Sequence, residues 1–163
     1  MGFFNFFSSH KETSKQPQQS GTQYQLPMFA NLNQTQKFAM VAMLASLSAA
    51  PADAEKTSMT QKMFSTYTAM IGISQDMMLN YMQTHERPTS QSVISTLKTI
   101  TDTGILEWLI YSGFGIVSVT QNEKYFSIFL DWWQQLGYEP EDVSNVVKKV
   151  EAICNKIRGL NSL

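Results

Sequence analysis

Cysteine is almost missing from this chain of 163 residues: there is one, Cys154. A single thiol excludes an internal disulfide framework and a thiolate-rich metal site. Histidine is nearly as scarce, and His10 and His85 are far apart, which leaves little material for a zinc site or a general base. Charge is thin as well, at 15% Asp, Glu, Lys and Arg against a usual ~25%. The 12 basic and 13 acidic residues almost cancel. That balance excludes a basic surface that would drive nucleic-acid binding, and equally an acidic solvating chain. No Gly-rich phosphate loop, HExxH or CxxC occurs. The expectation is a protein without a catalytic centre or a cofactor.

Long uncharged apolar runs are lacking too. One uncharged and largely apolar stretch, Trp108 to Asn122, is broken by Gly113 and Gly115 and carries Ser112, Ser118 and Gln121. It falls short of the ~18–20 residues that span a bilayer, so it reads as buried core. Lys37, the apolar run Phe38 to Leu47 and the small residues from Ala50 to Ala54 have the outline of a signal peptide. More than thirty residues precede Lys37, however, so a buried helix followed by a loop is the better reading. The expected location is cytoplasmic, with a peripheral membrane contact as the variant.

What is abundant lies at the start of the chain and in the choice of apolar residue. Phe3, Phe4, Phe6 and Phe7 fall within the first seven residues, and Phe3, Phe4 and Phe7 share one helical face. Four Phe are costly to leave in water. Gly2 invites a myristoylation reading, but that pattern wants Ser or Thr where Phe6 stands. The segment is expected to dock on a membrane interface, in a partner groove, or on the domain's own surface. With only Lys11 and Lys15 nearby, attraction to anionic lipid is weak. Ser, Gln, Thr, Lys, Pro and Gly then dominate to residue 25, with Tyr24 alone to pack, a composition that predicts a flexible linker. The organisation expected is an aromatic segment 1–7, a linker 8–30 and a helical domain 31–163.

From Asn33 onward the periodicity is helical. Helix one covers Gln34 to Ala49, capped by Asn33 with Gln36 reaching back. Apolar residues surround it, which places it at the centre of a bundle. Helix two covers Ala54 to Ile71, with Met59, Met63, Phe64, Tyr67, Met70 and Ile71 inward and Gly72 closing it. Ser74 caps a short helix carrying Met77, Met78, Tyr81 and Met82, and His85 to Pro88 form a connector. A further helix starts near Ser90. Thr101 to Gly104 read as a turn, and Ile105 to Ile116 as a second apolar helix. Thr120-Gln-Asn-Glu123 matches a capping box for a helix bearing Phe126, Phe129, Leu130, Trp133 and Leu136, closed by Gly137. Pro140 opens the last helix, striped with Val143, Val146, Val147, Val150, Ile153 and Ile157. The two halves echo each other. Each has a charge-poor helix, an amphipathic helix ending in Ile-Gly or Leu-Gly, and a helix with an acidic start. The fold class expected is all-α, with about seven helices in a pseudo-symmetric two-half bundle.

Few residues could carry chemistry. Cys154 lies on the last stripe and reads as a buried structural thiol. Asp53 and Glu55 form a close acidic pair that could give two oxygens to a hard cation, where such a site wants six or more. The helix dipole explains them more simply. Glu123 is a third weak metal candidate already assigned to the capping box. Ten methionines, five of them between Met63 and Met82, are the more suggestive signal. Methionine fills irregular cores, and it also lines adaptable partner grooves.

Gln36 to Leu44, the loop with Ala52-Asp53 and the helix end Met70-Ile-Gly-Ile-Ser74 resemble the tellurite-resistance TerB-like family. Val119-Thr-Gln-Asn-Glu123, leading to Gln135-Leu-Gly137, resembles it in the second half. The likeness covers about residues 33–157. In that family each half carries a loop of the type Ala-Asp-Gly-x-Val-Ser/Thr-x-x-Glu before a helix ending in Leu-Gly. Here the second Asp-Gly falls on Ile116 and Val117, and Asp53 is followed by Ala54. The resemblance therefore implies the bundle but not the family's metal site. It further implies a bacterial stress-response protein that works through protein partners and membrane-linked complexes. A protein partner is expected, a weak peripheral membrane contact is the alternative, and nucleic acid is not expected. The rival expectation is a bundle that binds a small molecule or lipid in its Met- and aromatic-rich core.

Overall fold

Asn33 begins the first helix as its sequence requires: its side chain accepts from the Gln36 amide at 2.8 Å, and the Gln36 side chain accepts from the Asn33 amide at 3.1 Å. The computed structural model describes residues 25–161, and within them all regular structure is helical. Seven α-helices follow a single 3-10 turn at Pro27–Phe29. They are α1 (Gln34–Ser48), α2 (Ala54–Ile71), α3 (Gln75–Thr84), α4 (Ser90–Leu97), α5 (Thr103–Thr120), α6 (Glu123–Gln135) and α7 (Pro140–Asn161).

The two helices that are apolar all round become the centre. α1 packs on α2, α4 and α5, and α5 packs on α1, α2, α6 and α7. Met40, Met43, Leu44 and Leu47 of α1 and Leu109, Ile110 and Ile116 of α5 lie out of contact with water. α5 is the one helix among the described residues that is long and apolar enough to cross a membrane by length and composition. Its position against four neighbours accounts for that composition.

The internal echo has a structural counterpart. α2 and α6 close in the same way. Gly72 takes φ +89° and Gly137 takes φ +93°. Gly72 and Ile73 donate to Ala69 and Thr68, and Gly137 and Tyr138 donate to Gln134 and Trp133. This is a Schellman closure twice over, and its left-handed residue suits glycine. The echo ends at the third helix of each half, because α3 has ten residues and α7 has twenty-two.

Several expectations change. The 120–123 capping box does not form. α5 runs on through Thr120, which is buried and donates its hydroxyl to the Val117 carbonyl at 3.2 Å. Asn122 caps α6 instead, accepting from the Tyr125 amide at 3.4 Å. Burying Val117 and Thr120 holds the last turn of α5 together, and Asn is as good a cap as Thr. At its other end α5 begins at Thr103, inside the expected turn, because Asp102 accepts from the Gly104 amide at 2.9 Å. The linker does not extend to residue 30. Phe29 is fully buried, and the Leu26 amide donates to Met70 at 2.9 Å. Phe29 sets its ring edge against Trp108 at 4.8 Å, and that contact is invisible to local composition.

Met59 does not face inward; it is 48% exposed. Met63 and Tyr67 lie against Gly115, and Tyr67 meets Trp108, so α2 runs antiparallel to α5. Met59 is one turn further on, level with the polar end of α5. On α7, Val143, Val146 and Val147 are buried, but Ile153 and Ile157 are 49% and 52% exposed. The stripe is continuous, whereas its cover is not.

Candidate functional site

A hollow opens between α1, α3 and α4, and local sequence explains each wall. Ser74 starts α3 by accepting from the Met77 amide at 3.2 Å. That start sets Met78, Tyr81 and Met82 on one face, three and four residues apart. α1 turns Phe38, Val41 and Ala42 toward them. Thr89 caps α4, accepting from the Ser92 amide at 3.1 Å, and α4 adds Val93 and Thr96. The extended connector from His85 to Pro88 spans the gap between α3 and α4 and holds them apart.

The volume of this groove is about 420 Å³. Its floor is apolar: Phe38, Ala42, Met78 and Val93 are buried, and Met82 is half-buried. Tyr81 lies flat on Phe38, with ring centroids 3.9 Å apart, and His85 lies flat on the other face of Tyr81 at 4.0 Å. His85 Nδ1 is 2.9 Å from the Thr84 hydroxyl and 3.2 Å from the Tyr81 carbonyl. The imidazole is thus held as the outermost plate of a three-ring stack. Glu86, Arg87, Thr35 and Ser92 form a polar rim. A smaller hollow of about 120 Å³ continues past Pro88 toward Trp132 of α6. The volume suits a compact ligand or two or three side chains of a partner. Thioether and aromatic walls grip by shape and dispersion, and they adapt to what enters.

The residues singled out for metal chemistry sit elsewhere, at the starts of two helices. Asp53 caps α2, accepting from the Lys56 amide at 2.9 Å, with the Lys56 ammonium 3.9 Å away. Glu55 is exposed in the first turn of α2, and Glu123 is exposed in the first turn of α6. Among the described residues no three Asp, Glu, His or Cys side chains gather where they could hold an ion. Phe3, Phe4, Phe6 and Phe7 lie outside the described residues. Cys154 is half-buried rather than buried. It lies near Tyr111, whose phenol is pushed above its ordinary range by burial first and then by Cys154 and Glu151.

The groove was half visible beforehand. Met77, Met78, Tyr81 and Met82 stood out as a Met-rich stripe, and Met-rich grooves were an open reading. Phe38 and Ala42 gave no such signal, because an apolar residue on a central helix looks the same whether a neighbour covers it or a gap does. No family model matches the chain, and no curated protein or solved structure matches it either.

Proposed function

We propose that the chain is a non-catalytic helical interaction module of the TerB-like kind, and that it receives its partner in the groove between α1, α3 and α4. The observation that carries this reading is the groove: about 420 Å³ of Met- and aromatic-walled space beside a polar rim. Such a surface suits a protein segment that presents aliphatic or aromatic anchors, as amphipathic helices do. The resemblance in residues 33–157 supports a bacterial, cytoplasmic stress-response setting, with contact to membrane-linked complexes.

The test is retention of partners by the whole chain and by two groove variants. Met82→Glu places a charge in the wall, and Ser92→Trp fills the opening from an exposed position. Proteins retained by the native chain should be lost at least tenfold from both variants while the thermal midpoints stay within a few degrees. Equal retention by all three would remove the groove from the interaction.

A second reading is favoured by the groove's size, which is within the range of small-molecule sites. An acyl chain or compact apolar ligand would lie against Met78, Met82 and the Phe38–Tyr81 stack. The hollow lies at the surface between helices, not in the middle of the bundle where this alternative first placed it. Saturable binding of a fluorescent fatty acid, abolished by Ser92→Trp, would favour this ligand over a protein.

A further inference from the structure

We propose that the aromatic segment Phe3 to Phe7 docks, within the same chain, on the exposed outer half of the α7 stripe. The stripe reads Val143, Val146, Val150, Ile153, Ile157 and Leu160, alternating steps of three and four residues, which is the seam of a helix made to pack along a second one. Its first half has that partner. Val143 and Val146 are buried and Val150 packs against the core, where α7 meets α5 and α6. The second half repeats the pattern in solvent: Ile153, Ile157 and Leu160 are 49%, 52% and 70% exposed.

Three side chains offer too little surface for a free partner. A stable interface needs roughly 800 Å² from each side, far beyond what three apolar side chains on one helix present. A tethered segment escapes that requirement, because the linker supplies a millimolar effective concentration. Residues 1–7 are tethered to this domain. The described chain resumes at Gln25 and Leu26, pinned to the end of α2 by Leu26 to Met70 at 2.9 Å and Gln25 to Ile71 at 3.4 Å. From there Phe29 touches Trp108, and Tyr111, one turn along α5, lies near Cys154 beside the stripe. A linker with the composition of residues 8–24 spans about 23 Å on average and about 55 Å at full stretch, so α7 lies within its reach. Phe3, Phe4 and Phe7 are spaced as on one helical face and would present it to that stripe.

Cys154 is the only thiol in the chain and sits between Ile153 and Ile157, so it reports on the cover directly. The experiment follows its reaction with Ellman's reagent in the full chain and in a variant with Phe3, Phe4, Phe6 and Phe7 all changed to Ser. These positions precede the helical domain, and circular dichroism checks that it stays folded. The variant is expected to react at least fivefold faster, by a ratio independent of protein concentration. Ile157→Ser should speed the reaction in the native chain but not in the Phe variant, whereas simple fraying of α7 would speed both. Equal rates in native chain and Phe variant would overturn the proposal. Protection that disappears on dilution would also overturn it and assign the face to a second copy. Equal rates together with Phe-dependent flotation on phosphatidylcholine–phosphatidylglycerol vesicles would overturn it in favour of a membrane.

Discussion

Ser112 sits on α5 with no exposure, and its hydroxyl has no hydrogen-bond partner; the indole N–H of Trp133 on α6 is in the same position. A buried hydroxyl in a helix usually returns a bond to the carbonyl one turn back, as Ser48 and Thr68 do here at 2.8 and 2.7 Å. An unpaired one costs its desolvation with nothing in return. Ser112→Ala is therefore expected to stabilise the protein by about 1 kcal/mol, read as a higher urea midpoint at an unchanged slope. A destabilised variant would mean that the hydroxyl is satisfied by an internal water. Ser48→Ala supplies the control, since it removes a formed bond and should not stabilise.

At the scale of elements, two glycines two residues apart on α5 predict opposite outcomes. A Cβ at Gly113 would fall 2.9 Å from the Phe129 ring and 3.2 Å from Leu47, where α5, α6 and α1 converge. Phe129 is fully buried and cannot swing aside. Gly113→Ala should cost about 1–3 kcal/mol through overpacking, outweighing the gain of about 1 kcal/mol in helix propensity. At Gly115 the nearest atom is the terminal methyl of Met63, at 3.1 Å, on a flexible half-buried side chain. There the propensity gain should dominate, and Gly115→Ala should be neutral or stabilising by up to about 1 kcal/mol. Chemical denaturation of both variants tests the pair; the same sign at both sites would show that the helix contacts do not control the result.

For the molecule as a whole, stability should fail on the alkaline side through its partly buried phenols. Burial raises the Tyr67 pKa above 10.0, with Tyr111 adding to it, and burial likewise raises Tyr138, with Glu107 and Asp142 adding. The folded state thus holds these protons more tightly than the unfolded chain does. Their contribution is complete below about pH 10 and is lost as pH rises through the folded-state values. The denaturant midpoint should fall above pH 10, and Tyr67→Phe should move that fall to higher pH. An unaltered profile would exclude Tyr67 as a cause. The same burial explains why Tyr67 could not be told from its stripe-mates in sequence: its environment is made by α5, far along the chain.

The sequence by itself determined the elements and their ends wherever the signal was local. Asn33 with Gln36, Asp53, Ser74, Gly72 and Gly137 act within a few residues of themselves, so a short window contains their physics. The all-helical class and the central places of α1 and α5 follow for the same reason, since a helix apolar on every side has to be covered on every side. The tertiary structure alone decided what depends on distant chain. It passed the cap of α6 from Thr120 to Asn122, because α5 gains burial by running on. It buried Phe29 against Trp108, packed Leu26 against the core beside Met70, and placed Glu123 at a different helix start from Asp53 and Glu55. It also left Phe38, Tyr81 and Met82 beside a gap and half of the α7 stripe in water. A stripe states that a face is apolar; which neighbour covers it, or whether any does, is a property of the packed molecule.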